Sequence, residues 1–203
     1  MDLIETIKKQ WGNHKTHYHP KESVVFIPLI QQHDRYVLLY EVRSYALRHQ
    51  PGDVCFPGGH RDAGETRKQA CIREVCEELQ VDKKQIHILG NMDPIEGRGM
   101  VIYPFIGLIE DYRDTYSTDE VDHIFKVPVD FLLKNVPQNY SVTTTTIPED
   151  HFPFELIPGG KDYKWMSKTD NILFYLFQEE VIWGITARIT HTFILSIKQN
   201  EEI

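Results

Sequence analysis

The chain has 203 residues, which is enough for one domain with a substantial core. Its formal net charge of −8 argues against a nucleic-acid partner held on a basic surface. No apolar run is long enough to cross a bilayer, so we expect no membrane partner. An anionic substrate would therefore have to be neutralised by a metal ion and a few local cations.

The cysteines and the chain ends predict a cytoplasmic protein. Cys55, Cys71 and Cys76 have neither metal-ligand spacing nor an even number, so we expect reduced and mostly buried thiols. The first residues lack the apolar run of a signal peptide, and residues 201–203 differ from the peroxisomal Ser-Lys-Leu signal.

The first predicted element is a short amphipathic helix at the N-terminus. Leu3, Ile4, Ile7 and Trp11 recur at the spacing of one helical face. An exposed Trp11 on that face offers an apolar contact to a second copy of the chain. A homodimer is therefore one predicted assembly.

A polar connector follows, and it contains His14, His17 and His19. Three histidines could indicate a metal site, but no acidic residue or cysteine lies near them in the sequence. We therefore predict an exposed loop. Two apolar and β-branched segments then predict a hairpin of strands at residues 23–30 and 36–42.

The segment at residues 43–59 is notable for its two arginines, Arg43 and Arg48. It is either a charged loop or a cationic clamp for phosphates, because a guanidinium matches phosphate geometry in a bidentate way. The segment ends at Gly58 and Gly59, where the backbone can turn sharply and approach a ligand closely. Gly58 is therefore a candidate substrate contact.

Residues 66–79 have the composition of a helix. Ile72, Val75, Cys76 and Leu79 recur at helical spacing and predict one apolar stripe. This helix would place the same apolar face against the core along its whole length.

Three carboxylates, Glu74, Glu77 and Glu78, are predicted to lie on the opposite side of this helix. Each like-charge pair at such spacing costs about 0.2–0.5 kcal/mol. Arg73 precedes Glu77 by four residues and can offset the repulsion on that acid. Glu74 and Glu78 have no basic residue three or four positions away. The group is either a solvated acidic face or a site for a divalent cation, which prefers carboxylate oxygens.

The remaining chain predicts strands, two helices and two long loops. Strands are expected at residues 86–90, 100–109, 139–147 and 171–177. Helices are expected at residues 129–135 and from 183–187 to about residue 197, the latter with a stripe of Ile185, Ile189, Phe193 and Ile197. The loops are an acidic one at 111–120 and an aromatic, Pro- and Gly-rich one at 148–161 that could cap a ligand.

The stretch at residues 58–81 reads GGHRDAGETRKQACIREVCEELQV, and it resembles the Nudix box, G-x5-E-x7-R-E-U-x-E-E-x-G-U with U apolar. The matching positions are Gly59, Glu65, Arg73, Glu74, Val75, Glu77, Glu78 and Val81. Gln80 departs from the pattern, which has glycine there as a left-handed helix terminus. We expect Gln80 to cost some stability without removing a ligand or a charge.

Strands and helices interleave along the chain, which fits a mixed sheet covered by helices on both sides. The resemblance implies the Nudix fold, an α/β/α sandwich with a mixed β-sheet. One Nudix hydrolase domain would cover residues 1–203, with the box at residues 59–81.

The segment before the box is similar to the signature of coenzyme A diphosphatases, roughly L-L-T-x-R-S-x3-R-x3-G-x-V-x-F-P-G-G. The matching positions are Arg43, Ser44, Arg48, Gly52, Val54, Phe56, Pro57, Gly58 and Gly59. Glu41 stands where that pattern has threonine. The segment at residues 183–187 is again similar to this subgroup.

The resemblance implies a metal centre for Mg²⁺ or Mn²⁺. Glu74 and Glu78, one helical turn apart, would hold the principal metal, and the carbonyl of Gly59 would add a ligand. Glu77 would hold a second metal or take a proton from water. Glu65 would either bind metal directly or orient the arginine of the box.

The resemblance also implies that Arg73 steers a catalytic glutamate. The catalytic base stays open among Glu74, Glu77 and Glu120. Glu120 closes the acidic loop at the place where the subgroup has a Glu-Val pair. It is therefore either a distal carboxylate that swings onto the metal cluster or a solvated loop acid.

The predicted function is metal-dependent hydrolysis of the diphosphate of coenzyme A or its thioesters. Arg43 and Arg48 would contact substrate phosphates or the adenine side, and an apolar groove lined by residues 152–158 would take the pantetheine arm. The alternatives are another nucleoside-diphosphate substrate such as ADP-ribose, which shares the same box, and a nucleotide-sensing module without turnover. Retention of every glutamate of the box argues against the sensor.

Overall fold

The structure is a computed structural model that describes residues 2–12, 21–97 and 99–201. Its helices are α1 (Leu3–Trp11), α2 (Arg67–Leu79), α3 (Val129–Lys134) and α4 (Gly184–Glu201). Its strands are β1 (Lys21–Gln32), β2 (Arg35–Arg43), β3 (Val54–Cys55), β4 (Gly58–His60), β5 (Ile86–Asn91), β6 (Ile95–Gly97), β7 (Met100–Ile109), β8 (Val121–Pro128), β9 (Gln138–Thr145), β10 (Ser167–Phe177) and β11 (Glu180–Trp183). Short 3₁₀ helices occupy Lys83–Gln85, Phe154–Leu156 and Gly160–Asp162. The loop predicted at His14, His17 and His19 lies outside the described residues.

Eight strands of the described chain form one mixed sheet. Its main path runs β3-β2-β1-β7-β5, while β4 pairs with β1, β6 with β7 and β8 with β2. The β1–β7 pair is parallel and the others are antiparallel. The predicted hairpin is confirmed, with Leu29 opposite Leu38 and Gln32 opposite Arg35. The sheet therefore places the short strand β4, which opens the box, directly beside β1.

Apolar layers cover both faces of this sheet, because side chains alternate along each strand. In β2, Leu38 and Tyr40 face a layer completed by α3 and α4, whereas Val37 and Leu39 face α2. The predicted mixed sheet with helices on both sides is confirmed. The face that carries α2 is the one that holds the acidic residues of the box.

Local signals of the sequence fix both ends of α2. Thr66 caps its N-terminus, with its hydroxyl accepting the Gln69 amide while the Gln69 side chain accepts the Thr66 amide. Gln80 follows the helix in the left-handed conformation, with φ 52° and ψ 46°. This confirms the predicted conformation of Gln80, which a residue with a Cβ adopts less readily than glycine.

The apolar stripe predicted for α2 is partly right. Val75 and Leu79 are fully buried, while Ile72 and Cys76 are half-buried against the same layer. The remaining buried apolar residues of α2 are Ala70 and Cys71. The buried face is therefore rotated toward Ala70 and Cys71, and the three cysteines of the chain are unpaired thiols.

The apolar stripe predicted for α4 is wrong at its first position. Ile189 and Phe193 are buried, and Ile197 packs partly against the core, but Ile185 is 40% exposed. Ile185 lies in the first turn of α4, where the residues that face the core are instead Thr186 and Ala187. The helix also continues to Glu201, beyond the predicted end.

A second sheet, ordered β11-β10-β9, was not predicted as a separate unit. Its strands are antiparallel, and every residue of β9 is exposed. His123 of β8 joins the two sheets, since its Nδ1 lies 2.8 Å from Asp122 Oδ2 and its Nε2 lies 2.9 Å from Glu180 Oε1 of β11. The hydrogen bonds with the Asp122 and Glu180 carboxylates raise the pKa of His123.

The N-terminal helix α1 forms as predicted and buries none of its residues. Leu3, Ile4, Ile7 and Trp11 are between 47% and 70% exposed. The homodimer that this face led us to expect stays a prediction. In the described ranges, no helix combines the length and the apolar character needed to cross a membrane.

We predict that Gln80→Gly stabilises the protein by up to about 1 kcal/mol, because glycine adopts the left-handed conformation without the strain of a Cβ. Urea denaturation of both proteins measures the difference. Lys68→Gly within the same helix is the matched control, and it should destabilise by roughly 0.5–1 kcal/mol. Equal destabilisation by both substitutions would contradict the role assigned to Gln80.

We predict that the link between His123 and Glu180 stabilises the fold in acid and not in base. A raised histidine pKa gives stability that is fully present below the unfolded value of 6.5 and is lost as the pH rises through the folded value. A double-mutant cycle of His123→Gln and Glu180→Gln, followed by thermal denaturation, should therefore show coupling at about pH 5.5 and much less at about pH 9. Coupling that does not change with pH would refute this.

Candidate active site

Arg73 is the centre of a hydrogen-bond network that joins α2 to the preceding loop. Its Nε and Nη2 donate to the two carboxylate oxygens of Glu65 at 3.0 and 3.2 Å. Its Nη1 donates to Glu74 Oε1 at 2.9 Å and to Glu77 Oε2 at 3.1 Å, and Nη2 also donates to the carbonyl of His60 at 3.1 Å. All five N–H donors of the guanidinium are engaged.

This network corrects the expected isolation of Glu74. From the sequence we expected Arg73 to offset the charge of Glu77 alone, because only that acid lies one helical turn from Arg73. The arginine side chain is long enough to fold back onto the adjacent Glu74 as well. Hydrogen bonds from Arg73 lower the pKa of Glu65, whereas burial raises the pKa of Glu74.

Glu78 is buried, with only 4% of its surface exposed. The predicted position opposite the apolar stripe is therefore wrong for this residue, and so is the alternative of a solvated acid. The side chain reaches the backbone of β4, where the amide of Gly58 donates to Glu78 Oε2 at 2.7 Å. Burial is the main reason that the pKa of Glu78 rises to about 8. The Gly58 amide thus contacts this acid, whereas we had predicted a contact with substrate.

The two glycines let β4 approach the acidic helix and the neighbouring strand. A Cβ on Gly59 would lie 2.3 Å from Glu74 Oε1, and a Cβ on Gly58 would lie 2.2 Å from the carbonyl oxygen of Val24. At Gly58 the backbone of Val24 leaves no room for a side chain, and at Gly59 the carboxylate of Glu74 would have to move. The Gly59 backbone and the Glu74 carboxylate are therefore neighbours, as a shared metal ligand set would require.

Glu41 is a member of this site that the sequence analysis did not predict. It lies in β2 and is 1% exposed, and neither of its carboxylate oxygens has a hydrogen-bond partner in the described part of the chain. Burial, followed by the nearby charge of Glu78, raises its pKa well above the usual range. An acid inside the apolar run YVLLYEV was the signal that could have identified it.

The acidic loop holds Glu120 near these carboxylates. The loop caps the end of α2, since the amide of Ser117 donates to the Glu78 carbonyl at 2.7 Å and the Thr115 hydroxyl to the Leu79 carbonyl at 2.7 Å. The Ser44 amide donates to the Glu120 carbonyl at 2.8 Å. The side chain of Glu120 is exposed, yet its charge helps to raise the pKa values of Glu74 and Glu78.

The two predicted substrate arginines have different positions. Arg43 ends β2 and is half-buried, with its Nε donating to the carbonyl of His49 at 3.4 Å. Its positive charge acts to lower the pKa values of Glu41 and Glu78, although no ion pair joins Arg43 to an acid among the described residues. Arg48 is exposed in the loop after β2. Arg43 therefore lies within electrostatic range of the acids, and Arg48 lies at the surface.

An apolar groove of about 390 Å³ lies beside this loop, between the two sheets. It is lined by Gly52, Val54, Phe174, Glu180, Val181 and Trp183. None of residues 152–158 lines this groove, and their predicted contact with the pantetheine arm stays a prediction. In that segment Phe152 packs against Phe154 and Trp165, with ring centroids 5.0 and 5.4 Å apart, and forms an aromatic cluster of its own.

A second layer of charges supports the loop of the box. Glu22 of β1 accepts hydrogen bonds from Arg61 Nε at 2.5 Å and from Arg67 Nη2 at 2.6 Å. Hydrogen bonds from these arginines, that of Arg67 first, lower the pKa of Glu22 to about 2. Arg61 also donates to the carbonyl of Glu65 at 2.8 Å, so Glu22 helps to position the partner of Arg73.

Across residues 2–12, 21–97 and 99–201, no three acidic, histidine or cysteine side chains are already gathered around one point where a metal ion would fit. Arg73 holds two of the candidate carboxylates, and the Gly58 amide holds a third. The oxygen ligands that a hard cation prefers are nevertheless present. The unpartnered oxygens of Glu41 and the contact of Gly59 with Glu74 both fit such an ion.

Comparison with known proteins places this geometry in a family. The profile of the NUDIX domain matches residues 20–146. The peroxisomal coenzyme A diphosphatase of Mus musculus is 31% identical over 136 residues, which cover 66% of this chain and 57% of that protein. Nudix hydrolase 3 of Caenorhabditis elegans is 36% identical over 116 residues, which cover 54% of this chain and 48% of that protein.

These two relatives are longer than the matched region, and the chain spans about half the length of each. An uncharacterized Nudix hydrolase of Photorhabdus laumondii matches more evenly, with 28% identity over 84% of this chain and 82% of that protein. Among solved structures, a MutT/nudix family protein from Enterococcus faecalis has a TM-score of 0.51 and 15% identity, covering 100% of this chain and 70% of that one. That likeness confirms the fold. By its sequence profile and its architecture, the chain belongs to the Nudix family.

Proposed function

We propose that the protein hydrolyses the diphosphate bond of coenzyme A or acyl-coenzyme A, giving 3′,5′-ADP and 4′-phosphopantetheine or its acyl form. The observation that carries this proposal is a contact between two stretches of sequence. The amide of Gly58, near the end of the coenzyme A-like segment, donates to Oε2 of the buried Glu78 of the box at 2.7 Å. The charge of Arg43, from the start of the same segment, also acts on Glu78. The resemblance of the chain to a relative described as a coenzyme A diphosphatase supports the same substrate class.

The reaction is a substitution at phosphorus. The oxygen of water forms a bond to one phosphorus of the diphosphate, and the bond from that phosphorus to the bridging oxygen breaks. The water loses a proton to a carboxylate, for which Glu77, Glu74 and Glu120 remain the candidates. The leaving phosphate takes the electron pair of the broken bond.

A divalent ion, Mg²⁺ or Mn²⁺, would be held by Glu74 and Glu78 with the carbonyl of Gly59, and Glu77 would hold a second. Nudix hydrolases generally use such ions, most often Mg²⁺. When bound, the ion supplies charge neutralisation at the phosphate oxygens and lowers the pKa of water. The positions of these residues suit a bound ion: Gly59 lies against Glu74, and Glu78 is buried away from competing solvent.

Arg73 is proposed to orient the carboxylates of the helix. It donates to one oxygen of Glu74 and to one oxygen of Glu77, so it positions both acids without using the second oxygen of either. Glu65 contacts Arg73 through both oxygens, which supports a positioning role for Glu65 over direct metal binding. Because His60 also accepts from Arg73, the guanidinium keeps its place when one acid leaves.

The remaining substrate contacts follow from the surface around the acids. Arg43 would contact the diphosphate close to the acids, and the exposed Arg48 would meet the phosphates or the adenine side from the loop. The groove beside Gly52 and Val54 would receive the pantetheine arm, since Phe174 and Trp183 give it an apolar wall. A cytoplasmic location, a homodimer and the lack of a nucleic-acid partner remain predictions.

We expect mass spectrometry to detect 3′,5′-ADP when the protein is incubated with Mg²⁺ or Mn²⁺ and coenzyme A or an acyl-coenzyme A. Parallel incubations with ADP-ribose and without metal serve as controls. Cleavage of ADP-ribose alone would keep a Nudix hydrolase and overturn the roles of Arg43 and Arg48. Lack of turnover of every substrate, with metal affinity intact, would favour the nucleotide-sensing module.

We expect Glu78→Gln to lower turnover by roughly 100-fold or more, because loss of a direct ligand should exceed the 10- to 100-fold effect of supporting residues. The metal-free variant should fold and melt at least as high as the wild type, since a buried ionisable group has been replaced by a neutral one of similar shape. Glu179→Gln, an exposed acid in the turn between β10 and β11, is the matched control and should leave turnover unchanged. A folded Glu78→Gln variant with full activity would refute the metal assignment.

A further inference from the structure

The feature that the proposed function does not use is the carboxyl group of Glu41. Its side chain is in the interior of the protein, and both oxygens lack a hydrogen-bond partner among the described residues. Burying an ionisable group without partners costs several kcal/mol in general. The strand could hold an apolar side chain here at lower cost, so the acid needs a reason to be present.

The alternation of side chains along β2 shows where this carboxyl group points. Val37 and Leu39 pack in the apolar layer under α2, whereas Leu38 and Tyr40 pack in the layer on the other side. Glu41 follows Val37 and Leu39 at intervals of two, so it projects toward α2. It therefore approaches the acidic helix from the sheet.

The charges around Glu41 agree with this placement. Those that act on it most, after burial, belong to Glu78, Arg43, Glu120 and Glu74. Arg43 is the one cation among them. Within the described chain it forms no ion pair with Glu41, and its Nε donates to the carbonyl of His49. Carboxylates thus outnumber the single cation around the buried space between β2 and α2.

We propose that Glu41 supplies an additional carboxylate ligand to the divalent-metal centre, from the sheet side opposite the acids of α2. The inference rests on the proposed function for the existence of that centre, but not on its substrate. A hard cation takes several oxygens, and carboxylates are its preferred protein ligands. Both oxygens of Glu41 lack a hydrogen-bond partner in the described chain, whereas one oxygen of Glu74 and one oxygen of Glu77 accept from Arg73.

The position of Glu41 on a central strand gives it a different role from the acids of the helix. The backbone of β2 is paired on both sides, opposite Cys55 in β3 and Ile124 in β8 at this residue. A ligand on such a strand is fixed in place before the ion arrives. The similar coenzyme A pattern has threonine at this position, so Glu41 marks a departure of this chain that would strengthen metal binding.

The test measures Mn²⁺ binding to the metal-free protein, by the electron paramagnetic resonance signal of free Mn²⁺, without any substrate. The variants are Glu41→Gln, close in shape but uncharged, and Glu41→Met, apolar and similar in volume. Both should weaken Mn²⁺ binding by roughly 100-fold or more, because loss of a direct ligand should exceed the 10- to 100-fold effect of supporting residues. Glu78→Gln is the positive control, and Glu179→Gln on the surface should bind as the wild type does.

Thermal denaturation of the metal-free proteins distinguishes a lost ligand from a damaged fold. Glu41→Met should melt at the wild-type temperature or higher, because it removes an unpaired buried carboxyl group. Wild-type Mn²⁺ affinity in either folded variant would overturn the inference, whatever the outcome for coenzyme A. If the Glu41 variants bind Mn²⁺ more weakly but the wild type does not cleave coenzyme A, the inference is supported and the proposed substrate is wrong.

Discussion

The guanidinium of Arg73 is the interaction on which the site depends. It holds Glu65 of the loop through two parallel hydrogen bonds and reaches Glu74 and Glu77 on the helix. Without it, the acids of one helical turn would repel one another and the loop would lose its attachment. The bond to the His60 carbonyl extends the same constraint to β4, which carries the glycines. One cation thereby fixes the loop, the strand and the helix relative to one another.

Features that depend on neighbours in the sequence were predictable from it. The helix of the box, its start at Thr66 and the left-handed Gln80 follow from capping chemistry within a few residues. The parallel pairing of β1 with β7 and the separate sheet of β9 to β11 depend on contacts between distant segments, and they were not predicted. The two-residue strand Val54–Cys55 is a strand only because β2 pairs with it.

The candidate site shows the same division. Helical spacing correctly predicted that Arg73 neighbours Glu77, whereas the bond from Arg73 to the adjacent Glu74 was not expected. The burial of Glu78 could not be deduced, since it depends on the Gly58 amide that β4 carries to it. Glu41 was seen as a departure from a pattern, but its place under α2 required the register of the sheet.

The buried acids make the stability of this fold depend on what it binds. Glu41 and Glu78 each remain in the interior at a cost in free energy, and Arg43 offsets that cost incompletely. A cation that binds only the folded chain raises the free energy of unfolding by mass action. The increase is about 2.7 kcal/mol when the cation concentration is 100 times the dissociation constant. The acids are therefore consistent with a protein whose working state is loaded with metal. In that state, charges that destabilise the empty site become its ligands, and their enclosure between β2 and α2 strengthens the attraction by excluding water.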